Sequence, residues 1–206
     1  SSNALLITST TQVRYIPDGS NGETATFGFV AWDQTTGTAS TNTTPSYTNP
    51  GAGGGATAYS SQSATASLTV TSVNDAPTIT NAATVTLTTT DENTPSSGTT
   101  VNTILTGASW ADVDTGALKG IAVTSVTGNG SWQYSTDGTT WAAFGAVSSS
   151  NALLITSTTQ VRYIPDGSNG ETATFGFVAW DQTAGTASTN ATPSYANPGA
   201  GGGTTA

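Results

Sequence analysis

The sequence predicts an all-β protein made of tandem antiparallel β-sandwich repeats. Three observations carry this prediction. Several short segments alternate apolar and polar residues, the period of half-buried strands. Clusters of Gly, Pro, Asn and Asp punctuate them at close intervals, while helix signals are nearly absent. The chain also repeats itself. Residues 1–58 recur as residues 149–206, an offset of 148, and only Thr36/Ala184, Thr43/Ala191, Thr48/Ala196 and Ala56/Thr204 differ.

The repeat register places residues 1–75 as the back part of one module. It places residues 76–206 as the next module without its last strand. Copies this alike imply a longer tandem array. A sheet short of a strand leaves an open edge, which invites pairing with another chain. A filament whose subunits exchange strands is therefore one expectation.

Each element has its own signal. Ala64–Val73 carries Leu68, Val70 and Val73 toward a core and reads as the last strand of the first module. Before it, from Asp33 to Ala64, runs a Gly/Pro/Thr-rich loop, unusually long for a structureless connection. Its Asn49-Pro50-Gly51-Ala52-Gly53-Gly54-Gly55 stretch lacks the Lys-Ser/Thr and the helix of a phosphate cradle and reads as a flexible loop. Ala83–Thr89 alternates strictly and predicts a strand, as does Gly120–Thr127 with Ile121 and Val123. Ser131–Ser135 and Thr139–Phe144 flank Asp137-Gly138, a hairpin signal. Val161–Ile164 is a strand ended by Pro165-Asp166-Gly167. Thr172–Trp180 puts Phe175, Phe177 and Ala179 on one face.

Composition removes many functions. The 206 residues include no His, no Cys and no Met, so imidazole or thiolate metal sites, disulfides and Ser-His-Asp or Cys-based catalysis are excluded. The three cations are Arg14, Lys119 and Arg162, and the net charge of -9 repels a nucleic-acid backbone. No apolar run approaches the ~20 residues of a membrane span. Charged residues are only 7% of the chain, but apolar residues plus Gly reach about 46%, enough for a core.

The few acids sit at turns: Asp75, Asp91-Glu92, Asp112-Val113-Asp114, Asp166, Glu171 and Asp181, with Asp18, Glu23 and Asp33 as first-copy equivalents. Carboxylate and amide oxygens converging on turns are the ligand type of Ca²⁺, a hard cation that takes about 6–8 oxygens. In Asp112-Val113-Asp114-Thr115-Gly116 two carboxylates flank one turn. This is not an EF-hand, because Val123 stands where the bidentate acid is required. The same residue types also serve as plain turn formers.

The order of these motifs resembles the cadherin-like repeats of giant bacterial surface proteins. Val73-Asn74-Asp75-Ala76-Pro77 is similar to the inter-module linker and Asp91-Glu92-Asn93 to the acidic turn after the first strand. Asp112-Val113-Asp114 resembles the D-x-D turn, and Ala179-Trp180-Asp181 the A-x-D turn. Tyr163-Ile164-Pro165-Asp166-Gly167-Ser168-Asn169-Gly170 resembles a stretch common in such adhesins. The resemblance implies tandem Ig-like/cadherin-like sandwiches with Ca²⁺ at the junctions. It assigns Asn74, Asp75, Asp112, Asp114 and Asp181 to one junction, with Asp18 and Glu23 completing it, and Glu92 to the opposite end. Ser72 replaces the linker's usual first Asp, and a second Asn after Asp75 is missing, which implies fewer ions.

The expected function is a structural spacer of a secreted adhesin or surface filament at the bacterial cell surface, stiffened by Ca²⁺. Its partners are neighbouring repeats of the same chain or fibre. The alternatives are strand-exchanged assembly and carbohydrate binding, in which Trp110, Trp132, Tyr134 and Trp141 form a platform for cell-surface or matrix polysaccharide. The paired carboxylates Asp112/Asp114 and Asp91/Glu92 sit at turns without a cleft, so no enzymatic activity is expected. Neither nucleic-acid binding nor membrane insertion is expected.

Overall fold

The computed structural model describes residues 2–199. The chain divides into two units, Ser1–Ser72 and Val73–Ala206, and among the described residues every strand pairing is antiparallel. Of the differing pair Ala56/Thr204, Thr204 lies outside the described residues.

The first unit contains β1 (Ala4–Leu5), β2 (Glu23–Trp32), β3 (Tyr47–Thr48) and β4 (Tyr59–Val70). β1 pairs with β3, and β2 with β4, as two separate two-stranded ribbons. Of its larger apolar side chains only Leu6 is fully buried; Leu5, Val13, Ile16, Phe27, Phe29 and Leu68 are exposed.

The second unit contains β5 (Thr99–Thr100), α1 (Val101–Gly107), β6 (Gly120–Val126), β7 (Ser131–Ser135), β8 (Ala142–Ala143), β9 (Ala152–Thr156), β10 (Gln160–Ile164), β11 (Phe175–Trp180) and β12 (Tyr195–Ala196). Two four-stranded sheets, ordered β5-β10-β7-β8 and β11-β6-β9-β12, enclose one core. Ile121 and Val123 on β6 and Leu153 and Ile155 on β9 meet Trp132 and Tyr134 on β7 and Val161 and Tyr163 on β10. The alternation read from the sequence sends these side chains inward. Ala152 and Leu154, on the opposite face of β9, pack with Ala122 and Trp180 in a second small cluster. The loop between β7 and β8 turns on Gly138 (φ +74°), with Asp137 Oδ1 accepting from the Thr139 and Thr140 amides.

Three expectations are corrected. The helix α1 was not expected. Thr100 caps it by accepting from the Thr103 amide, and Val101, Ile104 and Leu105 bury one face. Seven residues rich in Thr and β-branched side chains give too little pattern to announce it. Ala83–Thr89 is not a strand, because it has no ladder partner among the described residues. Its alternation still holds: Ala83, Val85 and Leu87 are half-buried and Thr84, Thr86 and Thr88 exposed. The long loop is shorter than expected and ordered in part, since β4 begins at Tyr59 and β3 lies inside it.

The two copies of the repeated sequence thus differ in burial. Leu5 is 47% exposed and its equivalent Leu153 0%; Val13 is 57% exposed and Val161 0%. Truncating a buried Leu costs about 2–5 kcal/mol, whereas surface changes stay within ~0.5 kcal/mol. Leu153→Ala is therefore expected to destabilise the second unit by about 2–5 kcal/mol. Leu5→Ala is expected to leave unfolding almost unchanged. Urea titration of both variants checks this; equal losses would contradict it.

Candidate metal centre in the second unit

Val73–Pro77 opens the second unit and brings the predicted residues together. The Asn74 side-chain amide donates to Asp181 Oδ2 at 2.8 Å. The next backbone amide, of Asp75, donates to Asp114 Oδ2 at 2.7 Å. Asp114's own amide donates to Asp112 Oδ1 at 2.8 Å, and Gly116 (φ +82°) closes that turn. Asp181 is buried at the end of β11, where its Oδ1 accepts from the amide and the hydroxyl of Thr183. Adjacent residues 74 and 75 therefore tie the Asp181 turn to the Asp112–Asp114 turn.

Two oxygens of this cluster, Asp112 Oδ2 and Asp114 Oδ1, are buried without a hydrogen-bond partner. A buried carboxylate oxygen left unpaired is costly, and oxygen donors of this kind suit a hard cation. Both oxygens of Asp181 already have partners, and Asn74 turns its NH₂ toward it. The unpartnered oxygens of Asp112 and Asp114 are the donor type a Ca²⁺ ion takes, while the Asp181 carboxylate is engaged in hydrogen bonds beside them. Among the described residues no group of three acidic side chains stands close enough to hold a metal.

The other predicted ligands have different surroundings. Asp18 accepts from the Ser20 amide, and Glu23 from the Tyr15 hydroxyl, both within the first unit. Glu92 stands in the turn that Asp91 closes through the Asn93 amide and the Thr94 hydroxyl.

A second polar centre was not singled out from the sequence. Glu171 accepts from the Tyr163 hydroxyl and, at 2.8 Å, from the Asn129 amide. The Tyr163 bond, then the Asn129 bond, hold its carboxyl below the ordinary range; burial and the same bond raise the Tyr163 phenol. The eight-residue spacing from Tyr to Glu, repeated as Tyr15–Glu23, was the available signal.

The aromatic residues considered for sugar binding are placed otherwise. Trp132 and Tyr134 belong to the core. Trp110 and Trp141 are half-buried, with Lys119 Nζ 4.6 Å and the Arg162 guanidinium 4.0 Å from their rings. The polysaccharide reading, which needs exposed rings, draws no support from these four.

Fold and site together define an all-β chain of antiparallel sheets with a carboxylate cluster at the entry to its second unit. Compared with protein-family models, curated proteins and solved structures, the chain matches none. Among the described residues no helix is long and apolar enough to cross a membrane.

The carboxylates of Glu171 and Asp137 are both depressed, the latter by the Thr140 and Thr139 amides. A folded-state pKa below the unfolded value stabilises above the unfolded value, near 4, and this is lost as pH falls through the folded one. Glu171→Gln and Asp137→Ala are expected to be less stable than the parent at pH 7. The difference is expected to shrink steadily below about pH 4. Urea unfolding across pH checks this; a gap that persists at the acid end would contradict it.

Proposed function

We propose that the chain is a spacer segment of a secreted bacterial adhesin or extracellular filament. It is built of Ig-like/cadherin-like repeats whose entry segments are fixed by Ca²⁺. The observation that carries the calcium reading is the pair of buried, unpartnered oxygens on Asp112 and Asp114. The near-identity of residues 1–58 and 149–206 supports the spacer role, because a spacer needs length and not a unique site. In this reading Asp112 and Asp114 hold the ion. Asn74, Asp75 and Asp181 position the entry segment beside them. The ion supplies positive charge to two buried carboxylates and makes the Val73–Pro77 segment stiff. Extracellular calcium is plentiful enough to fill sites of about 10⁻⁴–10⁻³ M. The neighbouring partners are further repeats.

Ca²⁺ binding only to the folded state adds about 1.4–2.7 kcal/mol at 10 to 100 times the dissociation constant. Millimolar Ca²⁺ is thus expected to raise the melting temperature of the second unit, followed through Trp fluorescence, and chelator to reverse the rise. Asp112→Asn and Asp114→Asn are expected to lose the response. In chelator they are expected to melt no lower than the parent, because each relieves a buried charge. A parent that melts identically with and without Ca²⁺ removes the ion from the account.

A further inference from the structure

β2 and β11 have the same ten-residue sequence counted from Glu23 and Glu171, yet each lies beside a different partner. In the second unit, the Thr174 carbonyl accepts from the Thr127 amide at 2.7 Å and the Thr174 amide donates to Thr127 Oγ1 at 2.9 Å. Backbone direction alternates along a strand. Thr174, Gly176, Val178 and Trp180 therefore turn toward β6, while Phe175, Phe177 and Ala179 turn away. The irregularity in this pair inserts its extra residue in β6 and leaves β11 regular. In the first unit, the Ala31 amide donates to Ser60 Oγ at 2.9 Å and the Asp33 amide to the Ala58 carbonyl at 3.0 Å. Ala31 and Asp33 correspond to Ala179 and Asp181. The edge that β2 uses for β4 is thus the edge that β11 leaves open.

That edge borders a groove. Between β11 and residues 76–92 lie two hollows of 430 and 520 Å³, which share Ala83, Phe175 and Phe177. Ile104 and Trp132 line the larger. The far wall is the alternating Ala83–Thr89 run, whose backbone enters no ladder among the described residues. An apolar floor between two unpaired backbone edges is what an inserted strand requires.

We propose that this groove accepts β4 of a second copy of the chain. The sequence identity with β2 sets the register. By equivalence to the pairs Phe27↔Ala66, Phe29↔Ala64 and Ala25↔Leu68, the incoming Ala66, Ala64 and Leu68 lie opposite Phe175, Phe177 and Ala173. Ala64, Ala66, Leu68 and Val70 then face the core, and Ser63, Thr65, Ser67 and Thr69 face out. In its own unit β4 is held on a two-stranded ribbon with Leu68 52% exposed. Such a ribbon is marginal by itself, so transfer into the groove gains apolar burial at small loss. Donor and acceptor are different surfaces of one chain. The contact is therefore heterologous and adds copies head to tail. The donated strand continues into Val73–Pro77 of its own copy, so each joint between copies repeats the covalent connection found within one. This goes beyond the spacer reading and needs no cation, so every measurement is made in Ca²⁺ and again in chelator.

The test uses the full chain in sedimentation velocity and a synthetic peptide of residues 59–72. The parent is expected to grow in steps of one chain mass as concentration rises. Excess peptide is expected to cap it as a one-to-one complex. Ala179→Pro removes an outward-facing amide from the acceptor edge, where Pro is tolerated; Ala66→Pro removes the donor amide that turns toward Phe175. Each variant alone is expected to stay monomeric, and an equimolar mixture to stop at dimers. If Ala179→Pro lowers the melting of the second unit, peptide capping of the parent decides. A parent that stays monomeric and does not bind the peptide overturns the proposal. So does growth by either variant alone, which would place the contact elsewhere. Loss of the Ca²⁺ response with growth intact would overturn the calcium reading and leave this one standing.

Discussion

The packing of Trp132 decides what becomes of the repeated sequence. Its ring lies 6.1 Å from Phe144, 5.0 Å from Tyr163 and 4.9 Å from Phe175. It stands between the two sheets, on β7, and draws β10 and β11 onto a common core. Without that strand the same residues have nothing to bury against. Full burial of a Leu or Val side chain contributes about 1.5–3 kcal/mol, and a whole domain is stable by only about 5–15 kcal/mol. Leu153 and Val161 alone therefore supply a sizeable part of the second unit's stability. Leu5 and Val13, with the same neighbours in sequence, supply little.

What survives in both copies is bonding internal to the repeated segment. Tyr15 with Glu23 repeats as Tyr163 with Glu171, and Asp18 with Ser20 as Asp166 with Ser168. Asp33 with Thr35 repeats as Asp181 with Thr183. The Trp32 indole donates to the Thr36 carbonyl as Trp180 does to Ala184. The Leu6 amide reaches the Ser46 carbonyl as Leu154 reaches Ser194. These bonds close loops inside the repeated segment, so they need nothing outside it. Turn chemistry here is autonomous; burial depends on the partner sheet.

The same division explains what was legible in the sequence. Alternation located β4, β6, β7, β10 and β11, because period is a local property of a strand; burial is not, and Leu68 and Val73, expected toward a core, are exposed. It also gave the correct burial of Ala83, Val85 and Leu87. It failed as a strand assignment there because a ladder is a property of two segments, and the second is not beside it. The helix α1 escaped because its three apolar positions, though spaced i, i+3, i+4, span about two turns, too short a window for the period to be read. In the candidate site, the residue types and turns of Asp112–Gly116 and Asp181 were readable. That Asn74 meets Asp181, 107 positions away, was implied only by the resemblance, which put both at one junction; nothing local encodes the meeting of two loops. The unpartnered oxygens of Asp112 and Asp114 were equally invisible, because partnership is settled only once the loops have met.

Near-identical repeats raise a problem of recognition. When β2 and β11 share one sequence, side chains alone cannot tell β4 which of them to join. Shape and chemistry are equal at both, so only connectivity and the surrounding sheet can choose. Connectivity acts through effective concentration, which falls as the connecting segment becomes longer or looser. The surrounding sheet acts through burial, and it favours β11, whose groove has a floor that β2 lacks. In the proposed assembly the two influences oppose each other: the tether holds β4 at β2, and burial at the groove favours β11. The balance rests on the short run from Ser72 to Pro77, where Asn74 and Asp75 are bonded to Asp181 and Asp114. A cation that neutralised Asp112 and Asp114 would tighten the hold on that run and so restrict where β4 can reach.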